Sequence, residues 1–224
     1  MPDTPDIAAI AVLVSEPARA RMLTVLMDGR ARTATELALE GRVTPSTASS
    51  HLSRMTAAGL LAPGRQGRHR YFGIASDEVA AALEGLMAIA PSRRTAPGRP
   101  LEEEAIRRAR VCYDHLAGEA GVRLLDRMRE QQFIDGAGPE LSLTAAGERW
   151  CRRIDIDLAA LRARRRRLCR PCLDWSERRM HLAGSLGAAL LARLVGLRYA
   201  RRLPGSRAIA LSSAGERFVE RLTL

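Results

Sequence analysis

The cysteines of this chain, together with one nearby histidine, are the residues whose chemistry is easiest to name. All four cysteines lie in the second half of the sequence: Cys112, Cys151, Cys169 and Cys172. Cys169 and Cys172 form a Cys-x-x-Cys pair after an arginine-rich run. Nearby positive charge stabilises the thiolate, which is both the nucleophile and the metal-binding form of cysteine. Cys112 and His115 stand three residues apart, a spacing that predicts one shared helical face from which both supply further ligands.

Three interpretations of these thiols stay open. Paired cysteines undergo reversible oxidation or persulfidation, or they bind a thiophilic metal or metalloid, or they are inert core residues beside an inducer of unknown chemistry. A single Cys-x-x-Cys lacks the second pair that marks a zinc site, so the sequence assigns neither a metal nor a cofactor. The candidate sensing residues are Cys112, His115, Cys151, Cys169 and Cys172.

Residues 43–61, VTPSTASSHLSRMTAAGLL, combine residue types suited to nucleic acid. At about 100° per residue, one face of a helix here collects Ala48, Leu52 and Met55, so the opposite face is small, polar and free of acids. Short hydroxyl side chains fit against base edges in a major groove, and helix N-termini favour phosphate. The residues expected to face DNA from this helix are Ser46, Thr47, Ser50, His51 and Arg54.

A basic hairpin follows this helix. The sequence GRQGRHR at residues 64–70 has glycines that favour a tight turn, next to three arginines and a histidine. Guanidinium groups at such a tip can hold backbone phosphates or enter the minor groove. The residues expected to contact DNA from the hairpin are Arg65, Arg68, His69 and Arg70.

The composition favours a polyanionic partner. The 224 residues carry a formal net charge of +11, and all 36 basic residues are arginines. Arginine binds phosphate and reads guanine edges through a planar fork of donors, which suits double-stranded DNA. The amino-terminal residues lack the features of a secretory signal, and no apolar run has the length of a membrane span. We therefore expect a cytoplasmic protein that does not enter the membrane.

The elements that must position these residues fall into two predicted domains. Residues 1–90 contain helical patterns at EPARARMLTVLMDG and TATELALEG, the helix and hairpin described above, and a closing apolar helix, DEVAAALEGLMAIA. Residues 91–100, rich in proline, glycine and arginine, are predicted to be a linker. Residues 101–224 form the second predicted domain, which serves sensing and dimerisation.

The second domain contains an internal repeat. HLAGEAGVRLLDRM at 115–128 matches HLAGSLGAALLARL at 181–194, and LSLTAAGERW at 141–150 matches IALSSAGERF at 209–218. We predict two winged-helix-like repeats of helix, helix, hairpin and helix, spanning about 108–155 and 174–223. His115 and His181 occupy equivalent positions, which favours a packing role for both. The predicted fold class is mainly α with small β-hairpins (α+β), with a winged helix-turn-helix before these repeats.

Residues 6–90 resemble the ArsR/SmtB family of bacterial winged-helix regulators. The motifs that carry the resemblance are SEPARARMLTVLMDG, STASSHLSRMTAAGLL and GRQGRHRYFGI. The resemblance implies a homodimeric transcriptional repressor that dimerises through its terminal helices, binds an inverted-repeat operator and is released by an inducer.

Two departures from the family pattern bear on the signal. Many members bind metal through a Cys-x-Val-Cys box in the helix before the recognition helix, where this chain reads TELALEG. Others use Asp and His pairs in the last helix, whereas DEVAAALEGLMAIA has no histidine. Neither familiar metal site can form, so any signal must be sensed in residues 101–224.

The predicted function is a DNA-binding transcriptional regulator that an inducer or a thiol modification releases, and not an enzyme. Two alternatives of other classes stay open. One is a thiol–disulfide redox protein that uses Cys169 and Cys172, although the βαβ alternation usual for that chemistry is missing from the sequence. The other is an arginine-rich adaptor that binds RNA or a polymerase.

Overall fold

The computed structural model describes residues 4–67, 69–90, 100–136 and 140–224. The chain divides into two compact units, Met1–Ala82 and Leu83–Leu224. This boundary lies inside a helix, before the predicted linker at 91–100, of which only the last residue falls within the described part of the chain. Within the described ranges, no helix has the length and apolar character required to cross a bilayer.

The first unit contains the predicted helices and hairpin, with an additional helix at its start. Its elements are α1 (Ile7–Ser15), α2 (Pro17–Leu26), β1 (Arg32–Thr33), α3 (Ala34–Gly41), α4 (Pro45–Ala57), β2 (Leu61–Gln66), β3 (His69–Ile74) and the first part of α5 (Asp77–Ile89). The strands form an antiparallel sheet in the order β1-β3-β2. The β2–β3 hairpin, called the wing below, pairs Leu61 with Ile74 at its base and Gln66 with His69 at its tip.

The start and the buried face of α4 follow directly from its sequence. The Thr44 hydroxyl accepts a hydrogen bond from the Thr47 N–H, and Pro45 occupies the first turn, where a missing N–H has no cost. The buried residues of α4 are Ala48, Leu52 and Met55. The predicted core face of this helix is therefore confirmed.

The second unit contains two copies of one arrangement. It begins with the last part of α5, followed by α6 (Pro100–Arg108). The first repeat then comprises β4 (Arg110–Cys112), β5 (His115–Ala117), α7 (Glu119–Glu130), β6 (Ile134–Asp135), β7 (Ser142–Leu143) and α8 (Ala145–Arg153). After α9 (Leu158–Arg162), the second repeat comprises β8 (Arg170–Leu173), β9 (Met180–Ala183), α10 (Gly184–Gly196), β10 (Ala200–Arg202), β11 (Ile209–Leu211) and α11 (Ser213–Arg221). Each repeat is thus a hairpin, a helix, a hairpin and a helix.

The first element of each repeat is a β-hairpin and not the predicted helix. Cys112 and His115 face each other across β4 and β5 instead of sharing a helical face. A spacing of three residues fits both one helical turn and a two-residue β-turn, so the sequence pattern was ambiguous. The chain reverses at Tyr113, whose φ of 60° is incompatible with a right-handed helix. In the second repeat, Cys172 faces His181 across β8 and β9.

The two repeats pack against each other with exchanged partners. α7 of the first repeat contacts β9 of the second, and α10 of the second contacts β5 of the first. Gly121 in α7 and Gly187 in α10 permit this approach, since a Cβ on either would overlap the backbone of its own repeat's first hairpin. The same Cβ would lie 3.6 Å from the His181 Cβ at Gly121 and 3.2 Å from the His115 Cβ at Gly187. Each glycine therefore lies between the first hairpin of its own repeat and the histidine of the other repeat.

An apolar core supports this interface. It includes α7, α10 and the aromatic residues Trp150 of α8 and Phe218 of α11, which occupy equivalent positions in the two repeats. The Trp150 indole donates a 2.8 Å hydrogen bond to the Leu222 carbonyl, so its burial leaves no donor unsatisfied. Both repeats thus contribute to one continuous core.

Candidate nucleic-acid interface and Cys/His cluster

The outward face of α4 is polar, small and free of acidic residues. The predicted DNA-facing residues Ser46, Thr47, Ser50 and Arg54 are all exposed on it. The Thr44 hydroxyl lies 3.0 Å from the Ser46 hydroxyl and 2.9 Å from the Thr47 hydroxyl, so a small hydroxyl network surrounds the helix N-terminus. This face can approach another macromolecule closely and offers hydrogen-bond donors and acceptors to it.

His51, also predicted to face DNA, is largely buried against α2 and the residue before it. Its side chain is 13% exposed; Nδ1 lies 3.1 Å from the Arg19 guanidinium and Nε2 lies 3.5 Å from the Glu16 carboxylate. His51 lies one helical turn after the buried Ala48, so it borders the core face of α4. Its position fastens α4 to the start of α2, and its contact with DNA stays a prediction.

The wing presents basic residues beside α4. Arg65 and Arg70 are cross-strand partners near its tip, and both are exposed, as is His69. The Arg70 guanidinium carbon lies 4.9 Å from the centroid of the Phe72 ring, so the two side chains make a cation–π contact. Arg68 lies outside the described residues. The wing therefore carries positive charge on a rigid antiparallel ladder.

Four buried side chains of the second unit converge where the two repeats meet. This Cys/His cluster consists of Cys112, His115, Cys172 and His181, whose sulfur and imidazole nitrogen atoms all lie within 4.8 Å of one another. The two Nε2 atoms are 3.1 Å apart and the rings are stacked. None of the four residues is more than 7% exposed. Each repeat contributes one thiol and one imidazole from its first hairpin.

A carboxylate lies behind each imidazole of the cluster. The Nδ1 of His115 donates to Asp114 at 3.1 Å, and Asp114 is in turn ion-paired with Arg166. The Nδ1 of His181 lies 3.6 Å from Asp174, slightly beyond hydrogen-bond length. A carboxylate at Nδ1 favours the tautomer with its proton there, which leaves the Nε2 lone pair directed at the cluster centre.

Asp174 also belongs to a buried charge network. The Arg110 side chain is fully buried, with ion pairs to Asp174 at 3.0 Å and to Glu84 of α5 at 3.3 Å. Its guanidinium carbon lies 4.5 Å from the centroid of the Trp175 ring. Burial alone would raise the pKa of Asp174, but the charge of Arg110 and the hydrogen bond from Ser176 lower it to about 2. The network thus connects α5 to the carboxylate behind His181.

The two thiols of the cluster differ in acidity. Hydrogen bonding from Cys112 lowers the pKa of Cys172 far below its ordinary value despite burial, and hydrogen bonds from His115 and His181 add to this effect. The same hydrogen bond to Cys172, together with burial, raises the pKa of Cys112. One thiolate in contact with a neighbouring thiol and two imidazoles is a strong set of donors for a soft cation.

The other two candidate cysteines lie apart from this cluster. Burial raises the pKa of Cys151 to about 12 and that of Cys169 to about 11, so both are protonated at neutral pH. The arginine run before Cys169 does not activate it, because desolvation outweighs the nearby positive charge. The Cys-x-x-Cys pair is therefore divided, with Cys172 inside the cluster and Cys169 outside it.

The sequence favoured packing for both histidines, and His181 is the cluster residue that was absent from the sensing candidates. A longer alignment of the repeats would have found it, because Arg-x-Cys-x-Asp precedes His-Leu-Ala-Gly in both copies, with six additional residues in the second. That alignment makes Cys112 equivalent to Cys172 and His115 equivalent to His181. These two equivalent pairs are the residues that meet in the cluster.

Comparisons with known proteins agree with this architecture. A family model described as a helix-turn-helix domain matches residues 14–63. The chain is 38% identical over 213 residues to the uncharacterized HTH-type transcriptional regulator YdfF of Bacillus subtilis (strain 168), and the match covers 95% of this chain and 94% of YdfF.

Two solved structures resemble a smaller part of the chain. The homodimeric winged helix-turn-helix DNA-binding domain of Mb0332 from Mycobacterium bovis, a possible ArsR-family regulator, is 23% identical, with a TM-score of 0.35, over 40% of this chain and 89% of that one. The cadmium metal-sensor CMTR from Mycobacterium tuberculosis is 27% identical, with a TM-score of 0.33, over 42% of this chain and 99% of that one.

The protein is a DNA-binding regulator whose amino-terminal unit is a winged helix-turn-helix. The match to YdfF extends over nearly the whole of both chains, so the second unit is shared as well. The chain belongs to the family of HTH-type transcriptional regulators.

Proposed function

We propose that the protein is a homodimeric repressor that binds an inverted-repeat operator through α4 and the wing and is released by a signal acting on the second unit. The outward face of α4 carries this proposal. Hydroxyl side chains such as Ser46 and Ser50 can meet base edges in the major groove, because no acidic side chain on this face repels DNA.

The wing supports the same orientation. Arg65 and Arg70 lie on adjacent strands, so their guanidinium groups can hold phosphates on the duplex backbone while α4 occupies the major groove. Such contacts supply affinity and fix the register without reading sequence. Specificity then rests on α4, and salt-dependent affinity rests on the wing.

The exposed apolar face of α1 supports a homodimer. This helix, IAAIAVLVS, leaves Ile7 78% and Val12 56% exposed. Contiguous apolar surface of this kind marks an interaction site, and the ArsR/SmtB resemblance implies a second copy as its occupant. A symmetric dimer presents two copies of α4 to half-sites about 34–36 Å apart along the duplex.

The continuity of α5 supports a route for the signal. This helix begins in the first unit and ends in the second, where its Glu84 is ion-paired with Arg110. A change in the second unit that displaces α5 would alter the spacing of the two α4 helices in the dimer. A displacement of a few ångströms would remove one half-site from register and so release the operator.

Operator binding by full-length variants tests the proposal. Ser50→Ala should change the preference for bases at one position of each half-site, while Arg65→Ala should weaken binding to all duplexes alike and reduce the salt slope by about 1. Arg217→Ala, which removes an exposed arginine of α11, serves as the control and should leave binding unchanged. Equal affinity of the unaltered protein for the operator and for random duplex would overturn the proposal.

A further inference from the structure

The ligand atoms of the Cys/His cluster are close enough together for a closed tetrahedral metal site. A zinc ion with bonds of about 2.3 Å to sulfur and about 2.0–2.1 Å to nitrogen requires separations of roughly 3.3–3.8 Å between its ligand atoms. The observed separation of 3.1 Å between the Nε2 atoms, and the 4.8 Å limit for all pairs, need only small side-chain rotations to reach these values.

The orientation of the imidazoles also favours a cation at the centre. The Asp114 carboxylate fixes the proton of His115 on Nδ1, and Asp174 faces the Nδ1 of His181. The two Nε2 atoms face each other at 3.1 Å, a separation at which either a shared proton or a metal cation joins them. Carboxylates behind metal-bound histidines serve the same purpose in zinc proteins, because they orient the ring and strengthen the ligand.

Burial and charge select the kind of cation. Two thiolates neutralise one divalent ion, so the loaded site carries no net charge and its burial costs little. Two sulfur and two imidazole donors suit Zn²⁺, whereas Mg²⁺ and Ca²⁺ require oxygen ligands. Four protein ligands complete the tetrahedron and leave no open position for substrate, which is the pattern of structural zinc.

We propose that the Cys/His cluster binds one Zn²⁺ ion that cross-links the two repeats of the second unit. Binding forms two sulfur–zinc and two nitrogen–zinc bonds, and any proton still held by the Cys112 or Cys172 thiol is released to solvent. Each first hairpin contributes one thiolate and one imidazole, so the ion adds a cross-link between two repeats that also share an apolar core. This inference does not depend on the proposed repression of an operator.

Zinc loading of the full chain tests the proposal. Protein stripped with a chelator under reducing conditions and reloaded with Zn²⁺ should retain one ion per chain after gel filtration. X-ray absorption at the zinc edge should show two sulfur and two nitrogen neighbours. Failure to retain zinc, or a zinc shell without sulfur, would overturn the proposal. If hydrogen bonds among the thiols and imidazoles alone hold the cluster together, the protein will fail to retain zinc.

Two cysteine variants provide the matched comparison. Cys172→Ser removes a proposed ligand, and Cys169→Ser removes a buried thiol three residues earlier that lies outside the cluster. The first variant should lose stoichiometric zinc and the second should keep it, with circular dichroism reporting the fold of each. Loss of zinc from both variants to the same extent, with the fold of Cys169→Ser retained, would contradict the ligand assignment. If Cys172→Ser fails to fold, the absorption spectrum of the unaltered protein decides the question alone.

Discussion

Asp114 and Asp174 show how a residue without a sulfur or imidazole can govern the Cys/His cluster. Asp114 holds the Nδ1 proton of His115 and is itself held by Arg166, so three side chains determine one ring orientation. The Oδ2 of Asp174 lies near His181 and accepts from Arg110 and the Gly118 N–H, while its Oδ1 accepts from Ser176 and the Glu177 N–H. The carboxylates behind the two histidines therefore differ in their other partners.

Replacing Asp114 with Asn should weaken zinc binding without removing a ligand. Loss of a carboxylate behind a metal-bound histidine typically lowers metal affinity by about 10–100-fold. Competition with a chromophoric chelator measures this change. Asp126→Asn is the control. Asp126 lies on α7 of the same repeat as Asp114, and its replacement also removes an ion pair with an arginine, Arg179. Equal zinc affinity in Asp114→Asn and the unaltered protein would show that Asp114 has no part in holding the metal.

At the scale of elements, α10 illustrates why the repeats need glycine at one helical position. A Cβ at Gly187 would overlap the backbone of β9 and press on His115, whereas a Cβ at Gly196, in the last turn of the same helix, meets nothing within 4 Å. Close approach of α10 to β5 is what places His115 beside His181. The position of α10 beside the cluster thus depends on the absence of a side chain at Gly187.

Gly187→Ala should destabilise the second unit and disturb the cluster. Forcing a methyl group into this contact should lower the free energy of unfolding by about 1–3 kcal/mol. Denaturant titration followed by tryptophan fluorescence reports on this unit alone, since both tryptophans lie in it. Gly196→Ala, the control, should leave stability unchanged or raise it by up to about 1 kcal/mol. A stable Gly187→Ala variant with normal zinc binding would contradict the packing described here.

The elements of the first unit could be predicted because their signals are local. Thr44, Pro45 and the spacing of Ala48 and Leu52 define the start and the face of α4 within a few residues. The wing follows from alternating residues around a glycine turn. His51 was harder to place because it borders the core face, where a small rotation decides between solvent and protein.

The Cys/His cluster could be predicted only in part, because it depends on contacts between distant segments. His115 and His181 are separated by 66 positions, and only the packing of one repeat on the other brings them together. The Cys-x-x-Cys spacing was misleading, since β8 directs Cys172 into the cluster while Cys169 precedes the strand. Extending the repeat alignment upstream of His-Leu-Ala-Gly identifies all four residues, which makes internal symmetry the most informative signal.

At the scale of the whole molecule, the proposed homodimer places the hydrophobic face of α1 at the subunit interface. Val12→Glu should introduce a charge into this apolar surface and shift the protein toward monomer at micromolar concentration. Sedimentation velocity measures the change. Leu39→Glu, at a residue of α3 that is 75% exposed, should leave the association state unaltered. An unchanged dimer in Val12→Glu would exclude α1 from the interface.

Selection of duplexes from a randomised DNA library by the full-length protein tests the DNA-reading role of α4 without assuming an operator sequence. We expect enrichment of an inverted repeat with half-site centres about 10 base pairs, one helical turn, apart. The enriched duplex should bind at least about 1,000-fold more tightly than its shuffled counterpart at physiological salt. Recovery of no common sequence, with equal affinity for enriched and shuffled duplexes, would contradict the assignment of α4 as the DNA-reading helix.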